Sequence, residues 1–337
     1  MAVTVLAVES SCDETAVAVI SGNKLLASLV STQEVHSLWG GVVPELASRL
    51  HQRTLTSLAH EAIARAGIQL TDLDAVAATV GPGLIGALLV GASYGKGLAV
   101  GLGKQFVGVN HLEGHLWSAA VAAEELPLPA LALLVSGGHT ELIRINGFGE
   151  YALLGATLDD AAGEAFDKVG GLLGITYPAG EELSKLASRG NDRAFHFAVA
   201  RTQTPLDFSY SGLKSAASRE VEKQKQSGND NWAADLAASF QRAVVRQLIQ
   251  RVDTALTADD YKSLTLGGGV AANQLLRSEL EKSAMKHNVS LRVPPLQYCT
   301  DNAAMIAWVA ARKIECNQLD PLTNPANPNL SLVPEIV

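Results

Sequence analysis

Cysteine is scarce in this sequence, with only Cys12, Cys299 and Cys316 in 337 residues. An odd number with no CxxC pair excludes a disulfide framework or a thiolate zinc site and points to a reducing compartment. Charge is sparse as well, 18% of residues against 47% hydrophobic, which excludes a disordered or fibrous chain. Long apolar runs are also lacking. The most apolar stretch, Leu84 to Tyr94, reads as too short to span a bilayer and is soon interrupted by Lys96. Val3 enters a strand-like run with no basic region and apolar core before it, so no secretory signal or transit peptide is read. The expectation is a cytoplasmic protein with no membrane association.

At 337 residues the chain exceeds the size at which one core usually stops growing, so two domains are expected. The formal charge of −8 does not by itself suggest nucleic-acid binding, but its distribution is uneven. Between Lys185 and Lys225 eight Lys or Arg face four acids, a local excess of +4 on an otherwise acidic chain. Such a stretch suits a phosphate backbone, although solvated charge runs are commoner.

Two apolar runs, Val3 to Glu9 and Ala16 to Ile20, flank the polar turn SSCDET and read as strands, with a third strand from Lys24 to Val30 after Gly22-Asn23. Pro44 suits a first helical turn, and Leu55, Leu58, Ala59, Ala62, Ile63 and Ala66 repeat at helical spacing until Gly67. Strand and helix then alternate through 75–80, a helix from Leu84, 106–109 and a helix from about His111. The second half repeats this grammar: Leu131 to Ser136, the turn GGHT, Glu141 to Ile145, and later a helix carrying Leu236, Phe240, Val244, Leu248 and Val252. Strands at 264–266 and 291–293 and helices from Ala271 and Asn302 complete it. The pattern predicts an α/β protein of two duplicated domains, 1–125 and 126–337, facing across a cleft, with a basic insertion at about 177–231 in the second.

In HLEGH, His111 and His115 lie four apart, so both imidazoles share one helix face and can ligate one metal. Asp301 stands at the matching place before the last helix of the second half, and the three residues are expected to converge from the two halves on the cleft. The pattern is not HExxH, because Leu112 follows the first histidine and Glu113 would project away from the metal. Three turns follow strands: SSCDET at 10–15, SGGH at 136–139 and GGGVAAN at 267–273. Glycine lets backbone N–H groups approach an anion closely in the last two, which suggests nucleotide phosphate binding. Gly81-Pro82-Gly83 reads equally well as a fourth such turn or as a plain strand-to-helix connection. In DDAAGEAFDK, Asp159 and Asp160 suit helix capping, whereas Asp167 lies too far in and suits a ribose contact or a solvated face.

With these residues assembled, the sequence resembles the tRNA threonylcarbamoyladenosine transferase family (TsaD), within the actin-like ATPase and sugar-kinase (ASKHA, ribonuclease H-like) superfold. The segments that carry the resemblance are ESSCDET, GGVVPELASR, GPGLIGALLVG, NHLEGH, LLVSGGHT, DDAAGEAFDK, FSYSGLK, GGGVAAN and CTDNAAMIA. It implies that His111, His115 and Asp301 hold an iron or zinc ion, that Leu134, Val135, Ser136, Gly137 and Gly138 contact substrate, and that Asp167, Gly180 and Asn273 bind its nucleoside part. The family's YPGGP reads YPAGE here, with Ala179 and Glu181. The implied reaction moves a threonylcarbamoyl group from threonylcarbamoyl-AMP to the exocyclic amine of the adenosine next to the anticodon, in tRNAs reading codons that begin with A, and releases AMP. Asp13 and Glu14 are candidates for the base. The implied partners are tRNA, a TsaB-like paralogue and a TsaE-like P-loop ATPase. The apolar 84–102 helix reads as a docking face or, equally, as a core helix, and a homodimer is a further arrangement.

A small-molecule kinase of the same superfold would use the same phosphate loops and need no histidine pair. A metallopeptidase would need the glutamate that Leu112 displaces. A silent scaffold would show broken loops, and these are intact.

Overall fold

The computed structural model describes residues 2–121, 126–227 and 232–333. The end of the expected insertion, 228–231, lies outside the described residues. Contacts divide the chain into two compact units, Met1–Glu125 with Gln297–Val337, and Leu126–Leu296.

The first unit holds β1 (Thr4–Glu9), β2 (Glu14–Ser21), β3 (Lys24–Thr32), α1 (Pro44–Ala66), β4 (Ala75–Gly81), α2 (Ile85–Leu102), β5 (Gln105–Asn110) and α3 (His111–Trp117). Its sheet runs β3-β2-β1-β4-β5. β1 pairs antiparallel with β2 and parallel with β4, so an apolar hairpin is joined to strands reached by helical crossovers. Residues Val5 to Val8 and Ala16 to Val19 are fully buried, as expected for strands covered on both faces. Pro44 sits in the first turn of α1, and Gly67 closes it at φ 69°. Lys96 does not end α2, because its ammonium reaches the Asn324 carbonyl and lies 5.5 Å from the centre of the Phe106 ring. The helix therefore runs 18 residues, long and apolar enough to cross a membrane by length and composition, and it packs along β4.

The second unit holds β6 (Ala130–Val135), β7 (Thr140–Gly147), β8 (Glu150–Ala156), α4 (Ala162–Leu172), α5 (Gly180–Ala187), α6 (Ser211–Ser227), α7 (Trp232–Ala258), β9 (Ser263–Gly267), α8 (Gln274–His287) and β10 (Ser290–Arg292). Its sheet order, β8-β7-β6-β9-β10, repeats that of the first unit, with the same antiparallel hairpins and parallel pairs. The duplication read from the sequence is thus present strand for strand. β8 was not anticipated; it is a half-exposed edge strand with weak alternation.

One expected boundary is corrected. The second domain does not run to 337, because α9 (Ala303–Glu315) packs on β1 and β2 of the first unit. The segment beyond it is stitched there too: Asp320 accepts from the Gly108 amide, Asn327 donates its amide to the Val80 carbonyl, and Asn110 donates to the Leu330 carbonyl. α9 is almost wholly apolar from Ala303 to Ala311, and the buried face of β1 and β2 is what it covers.

Candidate metal centre and glycine loops

α3 begins at His111 because Asn110 caps it, its side-chain oxygen accepting from the Leu112 and Glu113 amides. That fixes His111 and His115 one turn apart, with ring centres 4.7 Å apart and nearly perpendicular. Asp301 stands just before Asn302, which caps α9 through the Met305 amide, and α9 lies against α3. The ligand set is complete within the first unit, where the sequence suggested two histidines from the first half and one carboxylate from the second; the return of α9 is the reason.

Asp301 Oδ1 lies 3.0 Å from His115 Nε2 and 3.4 Å from His111 Nε2, and the three ligand atoms all fall within 4.8 Å of one another. Atoms bound at about 2.1 Å to one ion are separated by about 3.0 Å at a right angle and about 3.4 Å at a tetrahedral angle. The two distances to Asp301 thus match those of a shared divalent ion, and the donor set of two nitrogens and one oxygen suits such an ion with coordination positions to spare.

The electrostatics agree. Burial alone would raise the Asp301 carboxyl, but the charge of His111 and hydrogen bonds from both histidines hold it well below the usual carboxylate range. Burial opposes a charge on His111, yet the carboxylates of Asp301 and Glu9 raise it well above the ordinary histidine value, so without metal it is a cation between two anions. His115 is fully buried and its pKa falls. Glu14 is pushed up to about 10 by burial and by the charges of Asp301 and Asp13, so it holds a proton at neutral pH. The Cys12 thiol is raised by burial and the same acids, which leaves it unreactive.

Sequence reasoning missed Glu9, counted only as the end of a strand. Its side chain is fully buried, 3.0 Å from His111 Nδ1, and accepts from Thr79 Oγ1 at 2.6 Å. A carboxylate ending an otherwise apolar strand was the available signal. Gly81-Pro82-Gly83 is a packing turn: a Cβ on Gly83, at φ 153°, would lie 2.5 Å from the Ser11 carbonyl oxygen, which the Leu84 amide also meets at 2.8 Å.

The second unit gathers the remaining candidates. The Leu134–Gly138 stretch leaves β6, with the Ser136 amide donating to the His139 carbonyl and the Ser136 carbonyl accepting from Gly163. Gly268, at φ 89°, crosses so close that a Cβ would lie 2.4 Å from the Val135 carbonyl oxygen. By contrast Gly137, Gly138 and Gly269 have open space where a Cβ would be. Asp167 accepts from the Ala179 amide, the Gly180 carbonyl accepts from Ser184 Oγ, and Asn273 donates to that same oxygen at 3.1 Å. Gly180 and Asn273 are thus linked through Ser184, and Asp167 holds the residue just before Gly180. Asn273 also donates to Gln241 and caps α8, so both its N–H donors are engaged within the protein. Ala179, the departure from the family pattern, fits because its methyl sits over Gly170, where a second Cβ would lie 2.3 Å away; Glu181 is exposed and pairs with Lys185.

Asp159 and Asp160 do not cap α4. Asp159 accepts from the Tyr210 and Ser211 amides and both neighbouring hydroxyls at the start of α6, and Asp160 pairs with Lys168 and Lys214. The basic segment is divided. Lys185, Lys214 and Lys223 are paired, while Arg189, Arg193, Arg201 and Arg219 are exposed with no acidic partner among the described residues. Much of 191–209 is held by its backbone: Ser239, Arg246, Gln247 and Arg251 of α7 bond to its carbonyls and amides, which leaves the side chains of Arg193 and Arg201 in solvent.

Fold and site define an α/β protein of two duplicated actin-like halves that carries a His-His-Asp group fitted to a metal. Solved structures of the same fold include component A of (R)-2-hydroxyglutaryl-CoA dehydratase from Acidaminococcus fermentans, at TM-score 0.54 and 17% identity over 94% of this chain and 99% of that one. HypF of T. kodakarensis reaches TM-score 0.64 at 14% identity, over 94% of this chain and 48% of that one. At such identities these likenesses speak for the fold alone. The family model for tRNA N6-adenosine threonylcarbamoyltransferase, TsaD, matches residues 24–308. Relatives bearing that name are 48% identical in Moorella thermoacetica, over 97% of each chain, and 49% identical in a Cyanothece species, over 95% of this chain and 94% of the relative. The chain belongs to the tRNA N6-adenosine threonylcarbamoyltransferase family and is a transferase of tRNA modification.

Proposed function

We propose that the protein transfers threonylcarbamoyl from threonylcarbamoyl-AMP to the exocyclic amine of the adenosine following the anticodon, in tRNAs reading codons that begin with A, with release of AMP. The observation that carries this reading is the His111, His115 and Asp301 group, with ligand spacing suited to one ion, in a chain of this family. An iron or zinc ion held there supplies Lewis acidity toward the threonylcarbamoyl group. Gly137 and Gly138, with open space at each Cβ position, let an anionic oxygen of the adenylate approach the main chain, and Asp167 has the acceptor chemistry for a ribose hydroxyl. Gly180 has open space where a Cβ would be, and Asn273 holds Ser184 and through it the Gly180 turn. Asp13 and Glu14, in and after the turn that leaves β1, are the candidates for the base that takes the amine proton. The four unpaired arginines suit the tRNA phosphates. A TsaB-like paralogue and a TsaE-like ATPase are the proposed protein partners, and the cytoplasm the proposed location.

The test is transfer of labelled threonine from threonylcarbamoyl-AMP to unmodified tRNA, by the chain alone and with those partners, against His111→Ala. Transfer that the variant loses supports the reading. No transfer in any arrangement, with ATP-dependent phosphorylation of a small molecule instead, replaces it with a kinase.

A further inference from the structure

A carboxylate without water is costly to bury unless its lone pairs are engaged, and Glu9 is fully buried at the end of a strand whose preceding four residues are all apolar and fully buried. Its hydrogen bonds hold it against His111, one of the metal candidates. Oε1 accepts from the Ser11 amide, Oε2 accepts from Thr79 Oγ1 at 2.6 Å, and Oε2 also lies 3.0 Å from His111 Nδ1. Ser11 Oγ lies 3.2 Å from that same ring nitrogen. With Nδ1 engaged from behind, the ring has one nitrogen left for a ligand, and Nε2 is the atom 3.4 Å from Asp301. His115 is held differently: it is fully buried and its Nδ1 has no hydrogen-bond partner among the described residues.

We propose that Glu9 is a positioning residue for the metal: it fixes the His111 ring so that Nε2 faces the ion, with Thr79 and Ser11 fixing Glu9 in turn. A carboxylate on the far nitrogen sets the tautomer of a ligating histidine, holds its orientation and raises its basicity toward the ion, and losing such a partner typically weakens metal binding about 10- to 100-fold. Its negative charge also offsets part of the charge of a divalent ion in a buried site. The inference rests on the metal reading given above.

Zinc affinity of the full chain, stripped with a chelator and titrated against a chromophoric competitor, tests it without reference to turnover. Glu9→Gln preserves size and is expected to weaken zinc about 10- to 100-fold while the metal-free protein melts near the wild-type temperature. Glu9→Asp, which keeps the charge but draws it back by one methylene, is expected to fall between the two. If Glu9→Gln does not fold, Thr79→Val carries the test, since it leaves Glu9 and His111 in place; a loss of at least about threefold is expected. Wild-type protein that takes zinc, beside a folded Glu9→Gln that takes it within twofold, overturns the inference and leaves the metal reading standing. Wild-type protein that takes neither zinc nor ferrous iron overturns both. A variant that melts much lower yet binds zinc normally makes Glu9 a folding residue only, which also overturns the inference.

Discussion

The two units share one strand order but build their sites from different parts of the chain. In the first, buried side chains do the work: two histidines and three carboxylates pack so tightly that each shifts its neighbours' protonation. In the second, the main chain is on offer at open glycines, and the polar side chains around it are mostly engaged in holding turns. On the function proposed above, one scaffold serves a cation in one copy and an anion in the other.

Removing a ligand should separate the two copies most sharply. His115→Ala is expected to weaken zinc by at least about 100-fold while leaving AMP affinity within about twofold, read by titration calorimetry with each ligand. A comparable loss of AMP binding would show that the copies do not act separately. Within the second unit two glycines should behave oppositely. Gly268→Ala meets both a left-handed backbone and the Val135 carbonyl, and is expected to cost about 3 kcal/mol or more in urea unfolding. Gly137→Ala, with open space at its Cβ, should stay within about 0.5 kcal/mol of wild type and lower AMP affinity instead.

Charge reversal of the exposed arginines is expected to act on neither small ligand. Arg193→Glu with Arg201→Glu should weaken tRNA binding and reduce the salt slope of the affinity by about two, with zinc and AMP unchanged. A last test bears on the first unit alone, at Glu14. Its proton leaves near 10 in the folded metal-free protein but near its ordinary value of 4.5 when unfolded. The folded state therefore binds the extra proton between those values, and stability falls as pH rises through that window. Glu14→Gln should raise the melting temperature of metal-free protein at pH 8 to 9, with the gain vanishing below about pH 4.5.

Much of this was readable in the chain. Apolar runs mark β1, β2 and β6, β-branched in the first two, and the four-residue step in HLEGH sets both imidazoles on one helix face. What resisted was non-local. Nothing local to Ala303–Glu315 says that it packs on β1, so Asp301 was assigned to the wrong unit although its partners were named correctly. Glu9 reads as the end of a strand until Thr79 and His111, 70 and 102 residues away, are folded around it. Asp159 looked like a cap for the nearest helix, whereas its hydrogen bonds go to the start of α6, about fifty residues on. Local periodicity sets elements; which carboxylate meets which donor depends on loop closure that no window of sequence contains.

The return of α9 to the first unit also has a consequence in time. Asp301 is synthesised 186 residues after His115, which at cellular translation rates is roughly 10 to 40 s later. Throughout that interval the nascent chain carries both imidazoles without the carboxylate that completes the set, and the whole second copy of the fold emerges meanwhile. The three residues of the His-His-Asp group come together only after Asp301 has emerged, so on the metal reading proposed above loading follows that point.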